Sequence, residues 1–65
     1  MEALIKECAE RIVTVLQGVH EVNLLRLSEH LAERSMIVYQ AVGWLAREGR
    51  VRYEQREKQT YVVLA

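Results

Sequence analysis

Fifteen residues, Ser35 to Gly49 (SMIVYQAVGWLAREG), constrain the fold of this chain more than any other stretch. They read as a helix with a start, a buried face and a stop. The Ser35 hydroxyl is expected to cap the first turn. Gly49 is expected to close the last turn in the left-handed conformation. Arg47 sits near the C-terminal end, where a cation suits the helix dipole. At about 100° per residue, Val38, Ala41, Val42 and Leu45 share one side. Met36, Gln40, Gly43 and Arg47 share the other, with Ile37 and Trp44 along one edge and Tyr39 along the opposite edge. The inward set demands a core. The outward set carries one charge, one amide, a glycine and much apolar surface, and what it touches is the functional question.

The flanking segments supply partners for the inward set. Met1 to Gln17 has helical periodicity, with Ile5, Cys8, Ala9, Ile12 and Leu16 on one face and Glu7, Glu10, Thr14 and Gln17 opposite. Leu4, Val13 and Val15 widen its apolar arc beyond the usual stripe of a surface helix, and Gly18 is expected to end it. Val19 to Val22 is a short link that can form one edge strand. Asn23 is a strong N-cap for a short second helix from Leu24 to about Glu33. Leu24, Leu27 and Leu31 point inward there, and Leu25 outward. A tight turn around Arg34 leads into the organising helix.

After Gly49 the period changes from helical to two. Arg50, Arg52 and Glu54 alternate with Val51, Tyr53 and Gln55, and Thr60 to Leu64 is β-rich. The polar run between them has no Asn-Gly pair, so the expected connection is a loop of about four residues, not a two-residue turn. Three helices followed by a hairpin is the order of a winged helix-turn-helix: all-α with a small β-hairpin wing, α-α-α-β-β, with the extra short strand before the second helix.

Length and composition narrow the function classes. A 65-residue chain is expected to form one domain over residues 1–65. A domain of this size buries only about 60% of its unfolded surface. Small domains often add a disulfide, a metal or a second subunit. The single cysteine, Cys8, excludes an internal disulfide and reads as a buried, inert thiol in a reduced, cytoplasmic setting. No apolar run resembles a signal peptide or approaches membrane-spanning length. The formal net charge is zero, which does not favour nucleic acid, whose binding domains are usually basic.

The run Tyr39–Gln40–Ala41–Val42–Gly43–Trp44–Leu45–Ala46–Arg47–Glu48–Gly49–Arg50–Val51 resembles the signature of a small bacterial and archaeal winged-helix family catalogued as DUF2582. Gly-Trp-Leu-Ala-Arg-Glu-Gly is its specific part, because glycine and tryptophan inside the third helix are unusual in generic winged helices. The closing Tyr61–Val62–Val63–Leu64 resembles the family's last strand. The resemblance implies the winged helix-turn-helix fold and a regulator-like ancestry. It implies no known ligand and no catalytic residues.

Two binding readings follow. In the first, a dimer binds double-stranded DNA weakly and salt-sensitively. Gln40 and Arg47 would enter the groove, and Arg50, Arg52, Arg56 and Lys58 would sit on phosphates. Between residues 47 and 58 there are five positive and three negative charges, a net of +2. The interleaved glutamates also permit a bland reading, a solvated hairpin with cross-strand ion pairs. In the second, the module binds protein, either its own copy or another partner, through Met36, Ile37, Tyr39, Gly43 and Trp44. A mid-helix glycine such as Gly43 costs about 0.5–1 kcal/mol relative to alanine, so close approach of another group would account for it. That group can belong to the same chain or to a second subunit, and both options stand. Catalysis, a cofactor and a metal are not expected. His20 and His30 lack a neighbouring Cys/His cluster at zinc spacing, and there is no phosphate loop and no nucleophile motif.

Overall fold

The computed structural model describes residues 2–65. Met1, the expected start of the first helix, lies outside the described residues. The order is α1 (Glu2–Val19), β1 (Glu21–Asn23), α2 (Leu24–Leu31), α3 (Ser35–Arg47), β2 (Val51–Arg56) and β3 (Gln59–Leu64). The three strands form one antiparallel sheet in the order β1-β3-β2, so the link before α2 is an edge strand.

Helix ends depend on closure chemistry, and here the expectations are partly corrected. Gly18 does not end α1. The helix continues to Val19, and His20 takes the left-handed conformation at φ 70. The His20 N–H donates to the Leu16 carbonyl at 2.8 Å, closing the turn. The reversal falls one residue before β1 begins, so the strand's start decides which residue must turn. α2 stops two residues earlier than expected. Ala32 at φ 51 closes it, with its N–H on Glu29 O at 3.2 Å and the Glu33 N–H on Ser28 O at 3.1 Å. This bond pair is the Schellman arrangement, built on alanine where glycine is usual. The Arg11 guanidinium donates to the Leu31 carbonyl and ties α1 to the same end. Asn23 caps α2 as expected, its Oδ1 accepting from the Leu25 N–H at 2.9 Å.

Ser35 is the first residue inside α3 and not its cap. Arg34 occupies the cap position without a side-chain bond, and the Ser35 hydroxyl instead donates to Ser28 Oγ at 3.4 Å, joining α2 to α3. Gly49 closes α3 as expected at φ 75. Its N–H reaches Ala46 O at 3.1 Å and the Arg50 N–H reaches Leu45 O at 2.9 Å, a complete Schellman pair.

The core joins Ile12 and Leu16 of α1, Leu27 and Leu31 of α2, and Val38, Ala41, Val42 and Leu45 of α3, with Val22, Val51 and Val62 of the sheet beneath. Ile37 belongs to this core. It is 1% exposed and unavailable to any interface, contrary to its expected place on the outer edge of α3. α3 is packed on by α1, α2 and β2, so its buried arc is wider than one stripe. Val13 and Val15 also pack partly against the core, while Leu4 is exposed.

The wing departs from its expected connection. Glu57 and Lys58 alone join β2 to β3, at φ 51 and φ 70. Two left-handed central residues are the signature of the hairpin turn whose twist matches the strands. Glutamate and lysine adopt it at about 1–2 kcal/mol each, which is why the missing Asn-Gly pair pointed elsewhere.

Candidate nucleic-acid interface

The candidate site has two parts, the outer face of α3 and the wing. On α3, the outward positions are those the period required: Met36, Tyr39, Gln40, Gly43 and Arg47 are all exposed. Met36 is 55% exposed and Tyr39 41%. Gln40 and Arg47 lie seven residues apart on one line, about 10.5 Å along the axis at 1.5 Å per residue. Gly43 lies between them, and a Cβ added there would meet no atom within 4 Å. Neither α1 nor the wing folds over it. Trp44 is different: its ring is half-buried against the core, and Lys6 Nζ stands 5.8 Å from its centroid. The chain therefore covers part of Trp44 and leaves Gly43 bare.

The wing arginines are engaged within the chain. Arg52 donates to Glu54 Oε2 at 3.0 Å, two residues along the same strand. Arg56 reaches over the Tyr61 ring, 4.3 Å from its centroid, to Glu21 Oε1 of β1 at 2.6 Å. The Glu21 hydrogen bond, more than the neighbouring charges of Glu21 and Glu54, raises the Arg56 pKa above its ordinary value. Arg50 lies between Glu10 at 3.7 Å and Glu48 at 3.9 Å. Asn23 Nδ2 donates to Gln59 Oε1 at 2.6 Å, and Gln55 Nε2 to Thr60 Oγ1 at 3.2 Å, so neutral pairs also knit the sheet. Gln40, Arg47 and Lys58 make no such pair among the described residues.

The six expected DNA contacts thus fall into two groups. Gln40 and Arg47 share the exposed line on α3, and Lys58 stands at the wing tip. Arg50, Arg52 and Arg56 each stand beside a carboxylate, so the field they offer a phosphate is nearly neutral. Surface ion pairs of this kind contribute little stability singly, but the carboxylate remains in place even when the arginine swings away. Two residues escaped the sequence reading: Glu21, which holds Arg56, and Lys6, which stands over Trp44. Both act across more than thirty positions of the chain, and no local pattern marks such a pairing.

Among the described residues, no helix is long and apolar enough to cross a membrane. No curated protein matches this chain. It is similar to the solved structure of HlyU from Vibrio cholerae, with a TM-score of 0.69 at 24% identity, over 97% of this chain and 74% of that one. At that identity the likeness speaks to the fold: three helices and a two-stranded hairpin in the same arrangement. The family model for the winged helix-turn-helix domain DUF2582 matches residues 1–64, and the chain belongs to that family.

Proposed function

We propose that the chain is a regulator-like binding module whose ligand is duplex DNA, contacted through the outer face of α3. The observation that carries this reading is the exposed line Gln40–Gly43–Arg47. Glutamine and arginine are the side chains that make paired hydrogen bonds to adenine and guanine edges in the major groove. Their separation of about 10.5 Å spans roughly three base-pair steps. The bare backbone at Gly43 lets the helix approach the bases between them. In a helix-turn-helix, α2 and α3 take the supporting and reading positions. Lys58 at the wing tip supplies a phosphate contact, while the arginines of β2 serve the sheet. Binding is weak and salt-sensitive, because few phosphates are neutralised.

Fluorescence anisotropy with a random duplex at low salt tests this reading. Saturable binding that Gln40→Ala and Arg47→Ala each weaken supports it. Absence of binding at about 100 μM protein, a range covering ordinary non-specific affinities, would rule it out.

A second reading, a protein-interaction or dimerisation module, is supported by a separate observation. Leu25 of α2 is 71% exposed, and Met36 and Tyr39 of α3 are exposed as well. Exposed large apolar groups suit a protein partner better than a phosphate backbone. Sedimentation separates the two readings: a dimer that Met36→Ala or Trp44→Ala dissociates favours the second. A chain monomeric at about millimolar concentration removes self-association, since a dimer weaker than that falls below ordinary specific affinities.

A further inference from the structure

We infer that the groove between α1 and the C-terminal half of α3 is a binding site for a small aromatic anion, such as an arylalkyl carboxylate. The groove is an open cleft of about 690 Å³, lined by Ile5, Gln40, Gly43, Trp44, Arg47 and Glu48. That volume lies within the range of small-molecule sites, which combine an apolar lining with a few convergent polar groups. The lining here has that division of labour. Ile5 and the half-buried Trp44 ring supply the apolar wall. Gly43 supplies a floor with no side chain, and no atom of the chain comes within 4 Å of where its Cβ would be. Gln40 supplies an amide.

The charge of the groove selects the ligand's sign. Arg47 makes no ion pair among the described residues, whereas Lys6, 5.8 Å from the Trp44 centroid, lines the neighbouring groove with Glu7 and Glu10. Glu48, the one carboxylate in the lining, faces Arg50 at 3.9 Å and shares it with Glu10 at 3.7 Å, so its charge is offset in part. A carboxylate on the ligand can therefore meet Arg47, whose planar fork accommodates two oxygens, while its ring lies against Trp44 above Gly43. A cation against the Trp44 ring would meet the unpaired Arg47. The groove shares Gln40, Gly43 and Arg47 with the face proposed for DNA, but binding of the small anion is measured without any duplex present.

Trp44 is the only tryptophan, so its indole N–H gives a single resolved signal in a proton–nitrogen correlation spectrum. The probe is 3-phenylpropionate, compared with neutral 3-phenylpropionamide and cationic phenethylammonium. The expected result is a saturable shift of the Trp44 indole signal with the carboxylate and none with the cation. Arg47→Ala is expected to raise the dissociation constant about fivefold, equivalent to roughly 1 kcal/mol. Gly43→Ala separates site from fold: its methyl meets open space, and alanine suits a helix interior better than glycine. The variant should stay folded and lose the shift, because the methyl fills the floor. Equal binding of the amide and the carboxylate, unchanged binding by Gly43→Ala, or no saturation at about 10 mM probe, a concentration beyond millimolar affinity, would overturn the inference. So would an indole signal that moves with protein concentration but not with probe, since a second copy would then occupy the groove.

Discussion

The outer face of α3 and the wing both present arginines to solvent, yet the chain uses them differently. In the wing, the sheet sets oppositely charged residues within reach: Arg52 beside Glu54 two positions along one strand, and Arg56 across Tyr61 to Glu21. On α3, Arg47 has Gly43 and Trp44 at the helix spacings that bring side chains together, and neither is acidic. The count of positive charges in the sequence therefore overstates the charge available to a ligand. What matters is whether secondary structure places a carboxylate beside each cation.

The largest effect that can break this comparison lies on the inner side of α3. Leu45 is fully buried, and Leu45→Ala is expected to destabilise by about 2–5 kcal/mol. Met36→Ala, on the exposed side of the same helix, should stay within about 0.5 kcal/mol. Chemical denaturation reads both. A large loss from Met36→Ala would mean that the outer face is structural and not kept for a ligand.

Two backbone changes come next. Ala32→Gly relieves an alanine held at φ 51 and should raise stability by up to about 1 kcal/mol. Gly43→Ala should raise it by about 0.5–1 kcal/mol, because nothing crowds the new methyl. A destabilised Gly43→Ala would show that the backbone there is covered after all.

Smaller again is the wing lattice. Arg56→Ala should lower the melting temperature slightly, and the loss should vanish in a Glu21→Ala background and shrink in high salt. A loss that persists without Glu21 would mean that Arg56 acts through the Tyr61 ring.

The smallest expected effect concerns Cys8. Burial raises its thiol pKa, with Arg11 opposing and Glu33 assisting. The folded state thus holds the proton more tightly than the unfolded chain. Its contribution is complete below the unfolded thiol's value of about 8.5 and is lost as pH rises through the folded value. Thiol-reagent kinetics should accordingly be slow at pH 7, and Cys8→Ser should flatten the decline of stability above about pH 8.5. Rapid labelling at pH 7 would contradict the burial.

Much of this fold was legible because period and capping chemistry are local. The inner set of α3, the Asn23 cap, the Gly49 stop and the switch to alternation after it all follow from residues within a few positions of each other. The departures arise where tertiary context chooses among local options. Gly18 could have ended α1, but the start of β1 moved the turn to His20. Ser35 could have capped α3, but Ser28 held its hydroxyl. Ile37 sat at an edge whose side is decided only by what packs there. Within the candidate site, exposure of Gln40 and Arg47 was readable from helical angle alone, whereas cover of Gly43 by its own chain was decided only by the packing around it. Pairing of Arg56 with Glu21 was not, because the two lie 35 positions apart and meet only through the strand order β1-β3-β2.

The division of labour between α3 and the wing is tested most directly by the salt dependence of duplex binding in two variants. The slope of log affinity against log salt changes by about 0.9 for each phosphate that the protein no longer neutralises. Arg47→Ala is expected to weaken binding at every salt concentration and to reduce sequence discrimination. The double variant Arg52→Ala, Arg56→Ala is expected to leave the slope unchanged. The contradicting result is a slope flattened by about 1.8 in the wing variant, the equivalent of two phosphates, with Arg47→Ala binding as the parent does.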